Sequence, residues 1–583
     1  MKISANCFAS IVIVIFWITG CSIQKTGTVN EAQKAPEYFE YQADEVNPEN
    51  TEFPGGRGAD EMIIYNPDFG EKTGTNEWGA EAVVSAGLVE KVGGNNSSIP
   101  ANGFVISGHG KASRWILDHL KPGMKIEIKK KTIRVWETYQ SILYFGGHLI
   151  EISTDRLDNM ESVPDSISME TLKEYREAYQ ENVKEANNAD KNGDIPAARH
   201  HAGKALDAAW NYFYKARPSR KNEIRACWHR LIARSPEELE QTFKNLAEHG
   251  FNTLCPETIY WGYSIYPDAH PDLEQHPDFR GWDPLAEMIR LGKKYNIKII
   301  PWVEVYFIGF EDSPLVTRKA EWLAVSRSGK KASSLEPGYY FFCPSRDDVM
   351  QFWMEVYENL LQNYDIDGLQ MDYIRFPRSI PWEEGYCYCP VCREKFFNRY
   401  DIDPASMTPE SHPNFWEKWN EYRNQQVNAF VQETHRLVNR IKPGIRLSAD
   451  VFPGLDEAKG AKFQDWPLWL ELGYLDEIYF MSYTPDLEQL ENEIRKVNEM
   501  VPPDVHAIMG LGPYLGFDAE ILLEEITLAG DAGSDGVCLF ALEHLTPRHL
   551  EAISKGPFRL KARVPSEKSF LIQEFDKFNP GDE

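Results

Sequence analysis

Between about residues 222 and 560, short apolar runs alternate with segments that have helical periodicity. Each run is bounded by turn residues and is rich in Val, Ile, Leu and aromatic side chains, as buried strands are. Strand–helix units repeated in this way predict a closed (β/α)8 barrel. An open doubly wound sheet is the alternative, but no glycine-rich nucleotide-binding turn follows the first run. The predicted strands are 223–230, 252–257, 297–304, 368–373, 446–450, 477–483, 505–510 and 536–543.

Two smaller regions precede this predicted barrel, which we place at residues 219–562 before a C-terminal tail at 563–583. Residues 51–163 contain short β-rich runs between Gly, Asn and Pro clusters, which predict a small accessory β-rich domain. Residues 164–218 carry apolar positions at three- and four-residue steps on both sides of a turn at 191–194. This pattern predicts a helical hairpin.

The first residues have the pattern of a targeting segment. A basic start at Lys2 is followed by an apolar run over residues 11–18, which is typical of a secretory signal peptide at residues 1–20. Residues 18–21 resemble the bacterial lipobox, which implies cleavage before Cys21 and a lipid on its thiol. An uncleaved membrane anchor is the alternative. We expect a lipoprotein in the cell envelope, anchored in the outer membrane and facing the periplasm, with residues 21–50 as a flexible tether.

Composition narrows the classes of function. The chain has 583 residues, of which 42% are hydrophobic and 13% aromatic, enough for a large core. Asp and Glu number 89 against 62 Lys and Arg, so the formal net charge is −27. A surface this acidic repels phosphate backbones, and we therefore expect no nucleic-acid partner.

Polar side chains stand at or near the carboxyl ends of most of the predicted strands. Active sites of (β/α)8 barrels lie at that end, and strand side chains alternate between the two faces. The carboxylates among these residues would therefore converge on one mouth, raise each other's pKa and suit acid–base or nucleophilic catalysis. Separate salt bridges and helix caps are the structural alternative. The strand-end residues are His229, Glu257, Glu304, Asp372, Asp450, Tyr483 and Glu543.

The sequence around the fourth predicted strand, residues 364–377, resembles the signature of the glycosyl-hydrolase-like family 10 proteins. Phrases at 225–230, 257–262 and 301–304 support the same resemblance, which covers roughly residues 222–550. The resemblance implies a (β/α)8 glycosidase with a carbohydrate substrate and with Asp372 as a catalytic carboxylate. The seventh predicted strand departs from many barrel glycosidases, because it ends in Met509 and Gly510 without a Glu.

Hydrolysis of a glycosidic bond uses two carboxyl groups. We assign Asp372 as the nucleophile or base. Asp450, on one neighbouring strand, is the first choice for the general acid, and Glu304, on the other, is the second. Aromatic rings near the strand ends are predicted to stack on sugar faces, with core packing as the alternative. Arg375 is predicted to hold Asp372 ionised, with an ordinary surface ion pair as the alternative. The predicted substrate-binding residues are Glu257, Trp261, Tyr263, Trp302, Arg375, Tyr483, Glu543 and His229.

Three cysteines lie close together in the loop after the fourth predicted strand. Cys387, Cys389 and Cys392 have the C-x-C-x2-C spacing that is typical of a structural Zn²⁺ site. Either Cys343 or His412 would supply the fourth ligand. A disulfide or free thiols are the alternatives, and no cofactor is expected for catalysis.

Within the β-rich region, residues 73–79 and 99–110 resemble the N-terminal portion of phosphodiester-glycosidase-type domains. The resemblance covers only part of such a domain, so we interpret the region as accessory and place His109 in a tight turn between two glycines. Three functions therefore remain open. A glycoside hydrolase is the first, a carbohydrate-binding envelope lipoprotein without turnover is the second, and a phosphodiester glycosidase is the third.

Overall fold

The computed structural model describes residues 38–42, 62–76, 79–129 and 132–565. The predicted signal peptide, Cys21, most of the predicted tether and residues 566–583 lie outside the described part of the chain. Among the described residues, every helix is too short or too polar to cross a membrane.

A closed barrel of parallel strands occupies the larger part of the chain. The strands pair in chain order, and the first pairs with both the second and the eighth, which closes the ring. The predicted fold class is thus confirmed. The strands are Ile224–His229, Thr253–Tyr260, Lys298–Ile299 continued by Trp302–Glu304, Gly368–Asp372, Arg446–Val451, Glu477–Met481, His506–Leu511 and Gly536–Leu539.

A helix follows each barrel strand and returns the chain to the other end of the barrel. Several begin at a side-chain cap followed by proline: Ser235, Asp283 and Thr546 each accept a hydrogen bond from a backbone N–H of the first turn. The return helices are Pro236–Glu248, Pro284–Tyr295, Asp347–Asn363, Pro413–Ile441, Trp466–Glu471, Leu487–Asn498, Ala519–Asp531 and Pro547–Lys555.

The loops after the second, third and fourth barrel strands are long and carry structure of their own. Short helices lie at Pro314–Arg318 and Pro390–Tyr400, and a π-helical turn at Asp456–Ala461 follows the fifth strand. The short strands of these loops are Tyr263–Ser264, Glu274–Gln275, Phe307–Gly309 and Tyr340–Phe341.

The β-rich region forms a separate antiparallel sheet, against which the helix Lys111–His119 packs. Its first strand, Tyr38–Gln42, lies inside the segment that we predicted to be a flexible tether, and that prediction is wrong for these residues. They pair in full register with Thr132–Trp136, and Arg134 bonds Glu40 at 2.7 Å. The other strands are Met62–Tyr65, Gly79–Ser85, Leu88–Val92, Gly103–His109 and Lys125–Lys129.

In the segment predicted to be a helical hairpin, the structure has the helices Met169–Lys191 and Ile195–Lys215, which pack against each other. A third helix, Tyr139–Asp158, packs against it and lies in the region that we predicted to be β-rich. Adjacent glycines in its middle look like a strand or turn signal in the sequence. In the structure they allow close packing, because a Cβ at Gly146 would lie 3.0 Å from the ring of Tyr179.

A buried ion-pair network joins these helices to the barrel. The guanidinium of Arg217 is fully buried and bonds Glu524 on the barrel helix Ala519–Asp531. Arg156, on the helix Tyr139–Asp158, bonds the other oxygen of Glu524 at 2.7 Å. Because little water reaches Arg217 and Glu524, each charge is stabilised by its ion-pair partners, and removal of one partner would leave the other charge buried with less compensation.

We expect Arg217→Ala to lower the free energy of unfolding by about 2–4 kcal/mol, because it leaves the carboxylate of Glu524 buried with one partner fewer. Arg199→Ala is the matched control, since its pair with Glu137 is about one-third exposed on both sides and is worth at most ~1 kcal/mol. Thermal and urea unfolding of the full chain would compare them. Equal midpoints for the two variants would contradict the structural role given to Arg217.

Candidate active site

The barrel register brings four carboxyl groups together on four consecutive strands. Glu304 pairs with Asp372 across the third and fourth strands, and Trp302 pairs with Glu257 of the second. Gln370 pairs with Ser448, so Asp372 and Asp450, each two residues further on, face the same way. All four carboxyl groups are less than one-tenth exposed and line one cavity of about 230 Å³ at the carboxyl ends of the strands.

Two buried tryptophans form the floor of this cavity and orient its polar groups. The indole Nε1 of Trp302 donates to Oδ2 of Asp372 at 2.9 Å. The indole Nε1 of Trp228 donates to Oε1 of Gln370 at 3.0 Å. Because each ring is packed among apolar side chains of the barrel interior, its N–H group is held in a fixed direction.

Glu257 has a dedicated counter-charge. Both of its carboxylate oxygens accept hydrogen bonds from the guanidinium of Arg230, in a two-point pairing. Arg230 in turn lies 4.7 Å from the centre of the Trp261 ring. Glu257 is completely buried, so this pair neutralises a charge that water cannot reach.

Asp372 stands between the other carboxyl groups. Burial raises the pKa of Asp372 to about 6, although hydrogen bonds from the backbone N–H of Tyr373 and from Trp302, with the charge of Arg375, lower it. The side chain is therefore mostly ionised at neutral pH and is held by two donors.

The pKa of each of its two neighbours, Glu304 and Asp450, is raised more strongly. Burial raises the pKa of Glu304 well above its usual range, and the adjacent Glu257 raises it further. Burial and the charge of Asp372 likewise raise the pKa of Asp450 well above its usual range. Among the described residues, Oδ1 of Asp450 has no hydrogen-bond partner. The mouth thus combines two carboxyl groups that accept hydrogen bonds from N–H donors, Glu257 and Asp372, with two, Glu304 and Asp450, whose pKa is raised well above its usual range.

Several predicted substrate-binding residues lie on the cavity wall, namely Glu257, Trp302, Arg375 and Tyr483. Arg375 bonds Glu336 at 2.7 Å instead of binding Asp372 directly, and its effect on Asp372 is through space. The Tyr483 ring stacks on Phe540 at a centroid distance of 5.4 Å. Together these residues provide an aromatic side and a cationic side to the cavity.

Other predicted residues are not on that wall. Trp261 contributes its backbone N–H, which donates to Oε2 of Glu304 at 3.1 Å, while its ring packs on Phe310. The ring of Tyr263 lies 5.0 Å from that of His276. His229 and Glu543 contact each other at 3.3 Å, and the eighth strand ends before Glu543 is reached.

Sequence reasoning missed two charged residues that support the site. Arg230 directly follows the first strand. Glu257, at the end of the predicted second strand, needs a counter-charge when it is buried, and this need is a signal that could have identified Arg230. Glu336 lies in the long loop after the third strand, and no local pattern marks it. It supports the site only because the loop folds back to place its carboxylate beside Arg375 and the backbone N–H of Arg378.

The cysteine cluster contains four members. The thiols of Cys343, Cys387, Cys389 and Cys392 lie within 4.8 Å of one another, and all four are buried. Of the two predicted fourth ligands, the structure brings Cys343 to this cluster. His412 bonds the hydroxyl of its neighbour Ser411 at 2.8 Å instead.

In the N-terminal sheet, His109 is the last residue of a strand, and its Nε2 lies 2.8 Å from Oδ1 of Asn76. Gly110, with a positive φ of 54°, then turns the chain into the helix Lys111–His119. The tight turn that we predicted for His109 therefore begins one residue later.

The fold defines the chain as a (β/α)8 barrel with a carboxyl-lined mouth. Among solved structures, the α-L-fucosidase isoenzyme 2 from Paenibacillus thiaminolyticus is similar, with a TM-score of 0.42 and 15% identity over 58% of this chain and 49% of that one. The catalytic domain of β-amylase from Paenibacillus polymyxa has a TM-score of 0.43 and 11% identity over 58% of this chain and 98% of that one.

Among curated proteins, the glycosyl hydrolase YngK of Bacillus subtilis (strain 168) is 21% identical over 257 residues, which are 41% of this chain and 47% of that protein. The chain thus spans about half the length of this relative. Residues 223–515, half of the chain, match the family described as glycosyl hydrolase-like 10. The chain belongs to this family.

The raised pKa of Asp450 has a consequence for stability. A carboxyl group that binds its proton more tightly when folded makes the free energy of unfolding fall as pH rises above about 4, the usual pKa of Asp. We expect Asp450→Asn to stabilise the chain at pH 8 by on the order of 1 kcal/mol or more, and to have little effect at pH 4.

Thermal unfolding at the two pH values measures this difference. Asp365→Asn is the control, because Asp365 is exposed and its lysine partners lower its pKa; this variant should not be stabilised at pH 8. A similar change in melting temperature for Asp450→Asn at both pH values would count against a raised pKa of Asp450, and so would a loss of stability at pH 8.

Proposed function

We propose that the chain is a glycoside hydrolase that cleaves glycosidic bonds of a polysaccharide or oligosaccharide at the mouth of the barrel. The observation that carries this proposal is the position of Asp372 in one cavity between Glu304 and Asp450 of the two neighbouring strands, both of which have a pKa raised well above its usual range. Retaining and inverting glycosidases both need one carboxylate and one carboxylic acid at the scissile bond. Membership of a glycosyl hydrolase-like family supports the same conclusion.

In this proposal Asp372 is the nucleophile or base. The N–H groups of Trp302 and Tyr373 hold its carboxylate in one orientation and stabilise its charge. The two candidates for the general acid lie on the strands on either side of it. Neighbouring strands are about 4.8 Å apart, so a sugar bound over Asp372 has a candidate proton donor one strand away in each direction. This arrangement fits the requirement that base and acid flank the reacting carbon.

Asp450 is the proposed general acid, and Glu304 is the second candidate. Asp450 lines the cavity, and its Oδ1 has no hydrogen-bond partner among the described residues, which leaves this oxygen a hydrogen bond that a leaving-group oxygen could take. Oε2 of Glu304 already accepts a hydrogen bond from Trp261, and Glu304 lies beside the Glu257–Arg230 pair. These contacts suit a residue that positions the substrate or supports Asp372 more than one that releases its proton.

The cavity wall suits a carbohydrate. Trp302, Tyr483 and Phe540 present aromatic surface, and Arg375 presents a cation that can bond sugar hydroxyls. The volume of about 230 Å³ is smaller than the ~300–1,000 Å³ of pockets that enclose a whole ligand. We infer that one sugar unit enters the mouth while the rest of the substrate lies outside it.

The proposal includes a lipid anchor at Cys21, which would hold the enzyme on the outer membrane facing the periplasm. There it meets the polysaccharides of the envelope. Cys21→Ser is expected to move the protein from the membrane fraction to the soluble periplasmic fraction, because the diacylglycerol thioether cannot form. Immunoblots of fractionated cells would show this, and an unchanged membrane fraction would argue for an uncleaved anchor.

The test of catalysis is the release of reducing ends by the purified chain from a panel of envelope and dietary polysaccharides. We expect Asp372→Asn to lower the rate by about 10²–10⁴-fold, because the amide cannot act as nucleophile or base. Asp365→Asn, on the exposed side of the barrel away from the mouth, serves as the control and should keep full activity. Activity retained by Asp372→Asn would refute the assignment of this residue.

Leaving-group dependence separates the two acid candidates. The substrates are alkyl and aryl glycosides of the sugar that the wild type hydrolyses. Loss of the general acid slows hydrolysis of the alkyl glycoside far more than that of the aryl glycoside, because the aryl leaving group needs little protonation. We expect this pattern for Asp450→Asn and a uniform loss for Glu304→Gln. The reverse pattern would exchange the two roles.

A carbohydrate-binding protein without turnover is the second candidate, favoured by the absence of a Glu at the end of the seventh strand, His506–Leu511. Retention of a polysaccharide by both wild type and Asp372→Asn, without release of reducing ends by either, would support this alternative over hydrolysis.

A further inference from the structure

Four cysteines from two different loops meet at one point beside the barrel mouth. Cys343 comes from the end of the loop after the third strand, and the others come from the loop after the fourth strand and the first turn of Pro390–Tyr400. The sulfur of Cys343 lies 3.3 Å from that of Cys392 and 3.6 Å from that of Cys389. All are free thiols with almost no exposure.

These distances fit a shared metal ion. Four thiolates at ~2.3 Å from a tetrahedral Zn²⁺ lie about 3.8 Å from one another. The remaining sulfurs lie within 4.8 Å, so small side-chain movements complete the tetrahedron. We propose that Cys343, Cys387, Cys389 and Cys392 bind a structural Zn²⁺ that joins the third and fourth loops of the barrel mouth.

The surroundings of the cluster support bound thiolates. Two backbone N–H groups point at Cys387: that of Val325 lies 3.3 Å from its sulfur and that of Cys389 lies 3.5 Å away. Such donors orient metal-bound sulfur and offset its charge. Cys387 also receives them from both loops, so its position depends on the two loops being docked.

A buried cation near the cluster forms no ion pair with a carboxylate of the described residues. Arg423 is 3% exposed, and its hydrogen bonds within the described part of the chain go to neutral oxygens of Trp419, Asn420 and Tyr386, the residue next to Cys387. A Zn²⁺ with four thiolates carries a net charge of −2. Such a centre would supply the negative charge that a buried guanidinium requires.

The two loops that the metal would join also build the mouth. The backbone N–H of Tyr388 donates to Val325 at 2.7 Å, and that of Arg327 donates to Gly385 at 2.9 Å. The third loop carries Glu336, which holds Arg375 on the cavity wall. The metal would thus fix the loop that positions Arg375, and any effect of its loss on activity rests on the proposed function.

Metal content tests the proposal without reference to activity. Elemental analysis of the full chain, purified without chelator, should give one Zn²⁺ per chain. Cys343→Ala should lower its affinity for zinc by about tenfold or more, whereas Cys343→His should keep the metal, since Cys3His is an established ligand set. Cys538→Ala, which truncates an equally buried thiol in the eighth barrel strand, is the control and should keep one Zn²⁺ per chain.

A second measurement covers variants that fold poorly. Replacement of zinc by Co²⁺ in the wild-type chain should give the thiolate-to-metal charge-transfer and tetrahedral d–d bands of a four-sulfur site. Chelation of the zinc should lower the melting temperature of wild type, and a lower chelator concentration should remove the metal from Cys343→Ala. A metal-free wild type would overturn the proposal, either with all thiols titratable or with two lost to a disulfide. Equal zinc affinities of Cys343→Ala and wild type in competition with the chelator would overturn it as well.

Discussion

The structure depends on the burial of several carboxyl groups in one place where water cannot solvate them. Closure of the eight-stranded ring turns every second side chain inward, so strand ends that carry Glu257, Glu304, Asp372 and Asp450 must share one mouth. Four ionised groups cannot coexist there at moderate cost. Glu257 has a guanidinium as its partner, Asp372 has two N–H donors, and burial raises the pKa of Glu304 and of Asp450 well above its usual range, which favours their neutral forms.

That solution creates chemical asymmetry. Glu304 and Asp450 flank Asp372 on neighbouring strands, yet burial raises their pKa well above its usual range, whereas the N–H donors of Trp302 and Tyr373 and the charge of Arg375 limit the rise in the pKa of Asp372. Neighbouring carboxyl groups whose environments push their pKa values apart are the arrangement that acid–base chemistry requires. The burial of these carboxyl groups lowers the stability of the fold, and packing elsewhere in the barrel must offset the loss. Such a loss of stability is common at functional sites.

Support for the mouth comes from loops that are themselves braced. Arg375 is held by Glu336, and Glu336 is held in a loop whose two ends are tied to the barrel and to the cysteine cluster. On the other side of the barrel, the helices of residues 139–215 are joined to it through Arg156, Arg217 and Glu524. Both connections are made by charged groups or thiols that are buried away from water. Each such group stabilises the fold only while its partners remain in place.

The sequence by itself determined the barrel, because eight apolar runs with intervening helical segments admit few folds, and it determined the strand-end carboxyl groups, because the period of a strand fixes which residues face inward. It also marked three of the four cysteines by their spacing. It did not determine the strand Tyr38–Gln42 or the helix Tyr139–Asp158, whose patterns are short or interrupted by glycines.

Only the tertiary structure decided which residues meet. It paired Arg230 with Glu257, brought Glu336 to Arg375, chose Cys343 over His412, and left Tyr263 and the His229–Glu543 pair off the cavity wall. The physical reason is that these contacts join residues far apart in the chain, through loops whose paths follow from packing instead of periodicity. The pKa shifts of Asp372 and Asp450 have the same origin, since they depend on burial and on neighbours that no local pattern reveals.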